Sequence, residues 1–116
     1  MNDDSCIFCK IIKKEIPAKV VFEDNKVLAF EDIKPQAPVH IVIVPKAHVE
    51  KLSDIREENI TIAGRLILTA NTIAKEKKIN QSGYRAVFNC GRDAGQAVSH
   101  LHMHLLGGRA FGWPPG

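Results

Sequence analysis

The sequence predicts an α+β fold in which a five-stranded antiparallel sheet packs with one long and one short helix. Two observations support this prediction. Five short segments rich in strand-forming residues are separated by turn residues. Only one stretch, between the third and fourth segments, has the length and apolar period of a long helix. A chain of 116 residues is expected to form a single domain over residues 1–116.

The first third of the chain predicts a short helix followed by a hairpin. Apolar residues at helical spacing between Cys6 and Lys14 predict one or two helical turns, which end before Pro17. Val20–Glu23 and Val27–Glu31 are the first two predicted strands. The Asp-Asn-Lys sequence between them is typical of a turn.

The middle of the chain predicts one strand and the long helix. Val39–Val44 is the strongest strand signal, with prolines at both ends, where a strand tolerates them. The helix is expected from about Arg56 to Lys78, with Asp54 as its cap and Glu57 completing a capping box. Its expected apolar stripe repeats at three- and four-residue steps and consists of Ile60, Ala63, Ile67, Ala70 and Ala74.

The last third of the chain supplies two more strands. Tyr84–Asn89 follows a turn at Gly83, Gly91–Gly95 reads as a loop, and His100–Leu106 alternates strictly between polar and apolar residues. One long helix covers one face of a sheet, so part of the other face is expected to be open to a partner subunit.

Composition narrows the class of protein. The net charge of +3 is too small to indicate nucleic-acid binding, and no apolar run reaches the length of a membrane span. The first four residues include two aspartates and no basic residue, unlike a secretory leader, and the three cysteines do not suggest a disulfide framework. We therefore expect a cytoplasmic protein that binds neither nucleic acid nor membrane.

The segment from His100 to Leu106 carries the strongest functional signal. Three of the five histidines stand here at every second position, so a strand would place their rings on one face and Leu101, Met103 and Leu105 in the core. A single histidine would most simply belong to a polar strand face. Three crowded imidazoles repel one another when protonated, and their density favours metal binding or chemistry near neutral pH.

The motif H-x-H-x-H followed by two apolar residues resembles the signature of the histidine triad (HIT) nucleotide-binding family, and the similarity extends from about Cys6 to Gly116. The tail is similar to that of the Hint branch, the purine nucleoside phosphoramidases. The other matching segments are Asp32–His40, Val44–His48, Asn89–Gly91, Ala94–Val98, Leu106–Arg109 and Trp113–Gly116.

This resemblance implies a hydrolase that cleaves the P–N bond of purine nucleoside phosphoramidates such as AMP amines. His102 would attack phosphorus and form a nucleotidyl-histidine intermediate, while a main-chain acceptor near His100 holds its other ring nitrogen. His104 would contact the phosphate or the leaving group, and Gln96 would add a neutral donor. His40 is expected beside the triad, either as a catalytic group or as a core histidine with satisfied hydrogen bonds.

The resemblance also implies the nucleotide-binding residues. Asp32 would accept hydrogen bonds from the ribose, and Asn89 would contact phosphate or ribose. Backbone N–H groups from Gly95 to Val98 would hold the phosphate, although the same loop could be only a tight connection. Ala97 departs from the serine that many Hint-branch members carry, and Ser99 is small where some relatives are bulky. The purine slot, whose members could equally be plain core, would consist of Phe8, Ile12, Phe30 and Ile33.

Cys6 and Cys9 form a C-x2-C pair, which favours a structural zinc site if two further ligands come from elsewhere. His48 and His100 are the expected partners, as in some bacterial relatives, with His40 a less favoured candidate; the alternative is two buried thiols on a short helix. No cofactor is expected for catalysis itself. Cys90 is expected to be a small buried residue.

Three other functions fit parts of the same pattern. They are hydrolysis of dinucleoside polyphosphates, nucleotide binding or scaffolding without catalysis, and zinc storage or sensing. The family resemblance further implies a homodimer in which two sheets join into one, with the tail 107–116 docked at the interface and Trp113 near the partner's site.

Overall fold

The computed structural model describes residues 5–116. Its elements follow the predicted order, with two short 3-10 turns before the long helix. In chain order they are α1 (Ile7–Ile12), β1 (Val20–Glu23), β2 (Val27–Glu31), β3 (Val39–Pro45), the turns Leu52–Asp54 and Glu57–Asn59, α2 (Ile60–Glu76), β4 (Tyr84–Phe88) and β5 (Met103–Gly107).

The five strands form one antiparallel sheet in the order β1-β2-β3-β5-β4, which confirms the predicted fold class. Residues Phe30, Val42 and His104 stand in one row across β2, β3 and β5, because Val42 is paired with both of the others. Residues paired across antiparallel strands point to the same face, so this row marks the sheet face on which the histidines lie.

Each face of the sheet packs against a different helix. On one face, α2 buries Leu66 and Ile73 against Ile41, Met103 and Leu105. The opposite face carries α1, which packs against a smaller cluster from β2 and β3: Leu28, Phe30, Val42 and Val44. Because α1 has only six residues, it covers part of that face and leaves the rest for a cavity.

The long helix begins later than predicted. Asp54 ends the first 3-10 turn instead of capping a helix, and the backbone N–H of Arg56 donates to the side-chain oxygen of Asn59 at 2.6 Å. Asn59 thus closes a second 3-10 turn, and α2 starts at Ile60. Side chains such as Asn compete for backbone groups in this way near helix starts.

The expected stripe of α2 is only partly correct. Ala70 and Ala74 are buried, but Ile60 and Ile67 are 55% and 50% exposed. Leu66, Thr69 and Ile73 are buried in their place. The helix is therefore rotated relative to the predicted stripe, and it leaves an apolar strip on its outer side.

The histidine segment enters the sheet later than predicted. β5 starts at Met103, because the N–H of Leu101 donates to the carbonyl of Val49 at 2.6 Å instead of joining the ladder with β3. The prediction that Leu101, Met103 and Leu105 enter the core is confirmed, since none is more than 2% exposed. Among residues 5–116, no helix combines the length and apolar character needed to cross a bilayer.

Candidate active site and metal centre

A cavity of about 660 Å³ opens on the α1 side of the sheet. Its walls come from α1, β2 and β3, the loop after β4, and the histidine segment. This volume is in the range of small-molecule sites. Of the residues predicted for the nucleotide site, those that line it are Phe8, Phe30, Asp32, Ile33, His40, Asn89, Gly95, Ala97, Val98, His102 and His104.

His102 is aimed into this cavity by the backbone two residues before it. Its Nδ1 lies 2.7 Å from the carbonyl oxygen of His100. A carbonyl only accepts, so Nδ1 carries the proton and Nε2 keeps its lone pair. Phe8 packs edge-on against the His102 ring with centroids 5.0 Å apart and fixes its plane. The result is an imidazole held in one orientation on a cavity wall.

His104 stands beside His102 with ring centroids 5.1 Å apart. Burial, together with the neighbouring His102 and His40 rings and against the opposing negative charge of Asp32, lowers the pKa of His104 to about 4. His104 is therefore a neutral imidazole near pH 7. In that state it can donate one hydrogen bond and accept another.

His40 connects His104 to the loop before β3. Its Nε2 lies 2.9 Å from Nδ1 of His104 and 3.4 Å from a carboxylate oxygen of Asp32. Its Nδ1 accepts the backbone N–H of Gln36 at 3.0 Å. Burial lowers the pKa of His40, opposed by the negative charge of Asp32. The expectation of a core histidine with satisfied hydrogen bonds describes this side chain correctly, although the ring also lines the cavity.

The loop after β4 is held together by Gln96. Its side-chain oxygen accepts the N–H of Gly91 at 2.9 Å, and its side-chain nitrogen donates to the carbonyls of Val98 and Glu50 at 3.0 and 2.7 Å. Both ends of the carboxamide are therefore engaged, and Gln96 does not line the cavity. The structure thus places Gln96 as a clamp of the loop and not where the predicted donor would stand.

The same loop keeps fewer backbone donors for an anion than expected. The N–H groups of Gly95 and Gln96 donate within the loop to Arg92 and Gly91, each at 3.0 Å. In the described part of the chain, the N–H groups of Ala97 and Val98 have no partner, and both residues line the cavity. An anion nest in this loop therefore reduces to these two donors.

The apolar end of the cavity differs in two ways from the predicted purine slot. Ile33 is at its rim and 93% exposed, whereas Ile12, the last residue of α1, packs against the smaller core cluster and does not line the cavity. Sequence reasoning missed Ile7 and Ile11 of α1 and the stretch from Ile16 to Lys19. The helical spacing of the α1 residues was the available signal. The stretch after α1 carries no periodicity that could have revealed it.

A second cluster joins Cys6, Cys9, His48 and His100, the last of which is two residues before His102. The His100 Nε2 donates to the carbonyl of Pro45 at 2.9 Å, so its Nδ1 presents a lone pair. Nδ1 of His100 lies 3.3 Å from the sulfur of Cys6, 3.5 Å from the sulfur of Cys9 and 3.1 Å from Nδ1 of His48.

These four atoms fit a tetrahedral metal ion. Zinc bonds of about 2.3 Å to sulfur and 2.0 Å to nitrogen give ligand-to-ligand distances of about 3.3 to 3.8 Å. The observed separations of 3.1 to 3.5 Å are close to that range. A bound zinc would be structural, tying α1 to the end of β3 and to the histidine segment.

Cys90 lies outside both clusters. It is half-buried, and its sulfur lies 3.6 Å from the hydroxyl of Ser53. That hydrogen bond lowers the pKa of the Cys90 thiol. The prediction of a small buried residue is therefore wrong, because the loop after β4 leaves Cys90 at the surface edge.

Comparison with known proteins finds relatives that are similar over most of the chain. Curated relatives include a 14 kDa zinc-binding protein of Zea mays, 51% identical over all of this chain and 91% of its own length. Adenylylsulfatase HINT1 of Arabidopsis thaliana is 51% identical over 99% of this chain and 79% of its length.

Solved structures of similar sequence superpose closely on this chain. A HIT family hydrolase from Legionella pneumophila superposes with a TM-score of 0.94 at 47% identity, covering 96% of this chain and 99% of its own. A histidine triad protein from Clostridium difficile gives 0.93 at 47% identity, with 97% of both chains covered. The HIT domain family model matches residues 13–111. The chain belongs to the HIT domain family.

Proposed function

We propose that this chain is a nucleotide hydrolase that cleaves purine nucleoside phosphoramidates through a nucleotidyl intermediate on His102. One observation carries the proposal. The His100 carbonyl holds the His102 proton on Nδ1, and Nε2 of the same ring is left as a lone pair in a cavity. The relatives named as a hydrolase and an adenylylsulfatase support the class of reaction.

The first step forms a bond between His102 Nε2 and phosphorus and breaks the P–N bond, whose electron pair leaves with the amine as the amine takes up a proton from solvent water. The His100 carbonyl then faces the N–H of a positively charged phosphoimidazole and stabilises it. The N–H groups of Ala97 and Val98 stabilise charge on the phosphoryl oxygens. Water then attacks phosphorus, the bond from phosphorus to His102 Nε2 breaks with its electron pair returning to the ring, and the nucleoside monophosphate leaves as the proton of the attacking water is released to solvent.

Substrate binding follows from the two ends of the cavity. Phe8 and Phe30, whose centroids are 5.6 Å apart, offer an apolar slot for a purine, with Ile33 at its rim. Asp32 accepts the Lys34 N–H on one oxygen and faces His40 with the other. Its remaining lone pairs are available to the ribose hydroxyls, and Asn89 contacts the phosphate or ribose.

Adenylyl sulfate is a second candidate substrate, because the Arabidopsis thaliana relative is named for that activity. One feature of the site favours it. His104 is neutral near pH 7, with a pKa of about 4, so it is a poor proton donor to a leaving group. An amine needs a proton to leave, whereas sulfate leaves without one.

Comparison of turnover on three substrates, together with one variant, tests the proposed substrate class and nucleophile. We expect turnover of an adenosine phosphoramidate and of adenylyl sulfate to exceed that of diadenosine polyphosphates. His102→Ala should lower kcat by roughly 10⁴-fold while AMP binding, measured by calorimetry, stays within a few-fold. A trapped intermediate should add the mass of one nucleoside monophosphate to the peptide that contains His102. Persistent turnover in His102→Ala would refute the nucleophile, and binding without any turnover would favour a scaffold.

The cysteine and histidine cluster is proposed to hold a structural zinc. The relative named a zinc-binding protein supports this, together with the fit of the four ligand atoms. Metal analysis of the purified protein should give about one equivalent of zinc. Full activity in the presence of a chelator would separate this structural role from catalysis.

A homodimer is proposed because the outer side of α2 exposes Ile60, Ile67 and Leu68, and because β4 is an edge of the sheet. Edge strands without a partner are rarely left bare. Trp113, 83% exposed, lies in the tail that would reach the partner. Light scattering should give twice the chain mass, and Leu68→Glu should shift the protein to monomer.

A further inference from the structure

Asp32, His40 and His104 form a second group of ligand atoms inside the cavity. All three atoms lie within 4.8 Å of one another, a spacing that suits a metal ion. The same spacing also suits a chain of hydrogen bonds. The two alternatives differ in where His40 carries its proton, because a metal on Nε2 requires the proton to be on Nδ1.

The backbone decides between them. The N–H of Gln36 is a donor in every state of the protein, and it points to Nδ1 of His40 at 3.0 Å. Nδ1 must therefore hold a lone pair. A neutral His40 then carries its proton on Nε2, which lies 2.9 Å from Nδ1 of His104. That nitrogen accepts, so the proton of His104 is on its own Nε2.

We propose that the backbone N–H of Gln36 fixes, through His40, the tautomer of His104, so that His104 presents a permanent Nε2–H donor and no divalent cation binds the Asp32, His40 and His104 group. His40 is then a positioning residue. His104 is a hydrogen-bond donor to the substrate and not a proton source. The inference deepens the proposed function. The assigned tautomers do not depend on that function, and only their expected effect on turnover rests on it.

The loop that carries this N–H is held from several sides. The Nε of Arg109 donates to the carbonyl of Gln36 at 3.1 Å, and the Gln36 side chain donates to the carbonyl of Lys34 at 3.0 Å. Asp32 accepts the N–H of Lys34 at 2.8 Å. The donor is therefore fixed in place by both the tail and the start of the loop.

A matched pair of variants removes only this donor. Gln36→Pro deletes the N–H, and Gln36→Ala keeps it while losing the side chain. Side-chain ¹⁵N spectra of the resting protein report which nitrogen of each histidine is protonated. We expect the Nε2–H form for His40 and His104 in the wild type and in Gln36→Ala. In Gln36→Pro we expect a mixture of tautomers and a kcat lower by roughly tenfold.

His40→Phe is the second variant, should Gln36→Pro fail to fold. It keeps an aromatic ring in the buried position and removes the donor to His104, so the tautomer of His104 should again become mixed. Zinc added to the wild-type protein should leave the signals of His40 and His104 unchanged.

Three results would overturn the inference: an Nδ1–H form of His104 in the wild type, unchanged His104 spectra in both donor-removing variants, or zinc-dependent shifts of His40. All of these are read without substrate. Inactivity toward every nucleotide would therefore refute the proposed function while leaving this inference standing.

Discussion

Removing metal from the cluster of Cys6, Cys9, His48 and His100 should loosen α1. The helix has only six residues, far fewer than the roughly 12 to 15 that a helix needs to be marginally stable alone. Its order therefore depends on contacts with the sheet and on the two cysteines at its start. His48 follows β3 and His100 precedes β5, so a bound ion would join three distant parts of the chain.

The size of the effect follows from binding linkage. An ion that binds only the folded state, at a free concentration a thousand times its Kd, adds about 4 kcal/mol to the free energy of unfolding. For a chain of 116 residues this corresponds to a rise in Tm of about 15 °C.

Thermal unfolding followed by circular dichroism, with and without zinc after removal of metal by a chelator, measures this rise. Cys9→Ser should abolish it. Cys90→Ser is the matched control and should keep it, since Cys90 contacts Ser53 and not the cluster. A rise of similar size in Cys9→Ser, or none in the wild type, would refute the assignment of the cluster as a metal site.

Three further predictions concern pH, the purine slot and a tight backbone contact. The pKa of His104 is lowered by burial to about 4, and an unfolded histidine titrates near 6.5, so the unfolded state binds more protons between these values. The free energy of unfolding should therefore fall as the pH drops from about 6.5 to 4, by at most about 3 kcal/mol from this residue. Urea titrations at several pH values should show a shallower fall for His104→Asn than for the wild type, and an equal fall would contradict the lowered pKa of His104. Phe8→Ala should cost about 3 kcal/mol of stability and raise KM more than it lowers kcat; Ile12→Ala, outside the cavity, should leave KM unchanged. Gly108 has φ +89°, and an added Cβ would lie 2.9 Å from the side chain of Pro38, so Gly108→Ala should destabilise the fold by about 2 kcal/mol. Gly64 lies in α2 with open space around it, so Gly64→Ala should stabilise the fold by up to about 1 kcal/mol. Calorimetric shifts of Tm in the same direction for both variants would contradict this pair of predictions.

The sheet could be predicted from the sequence because strand signals are local. Alternation, β-branched residues and turn chemistry are all readable within a few residues, and the predicted bounds Val20–Glu23 and Val27–Glu31 agree with the structure. The start of α2 could not be read in the same way. Asp54 is the predicted cap, but it ends a 3-10 turn, and the side chain of Asn59 accepts the N–H of Arg56 in a second 3-10 turn before α2 begins at Ile60.

The membership of the site could be predicted better than its hydrogen bonding. His40, His102, His104, Asp32 and Asn89 line one cavity, whereas His48 and His100 belong to the cysteine cluster. The role of Gln96 could not be foreseen, because its partner Glu50 is 46 residues away along the chain. The buried stripe of α2 failed for a similar reason. Periodicity shows that a helix has an apolar face, but the packing of the sheet decides which of two overlapping faces is used.

His100 serves two neighbouring centres with two different parts of one residue. Its ring belongs to the cysteine cluster, and its carbonyl oxygen holds the ring of His102. A substitution at this position keeps the carbonyl but removes the ring and its hydrogen bond to the Pro45 carbonyl, which help to hold that carbonyl in place. A loss of turnover in such a variant would therefore not say which of the two centres mattered. His48 shares the cluster and contributes no carbonyl to His102. Alanine scanning should therefore test the proposed metal site through His48, because a change at His100 affects both centres.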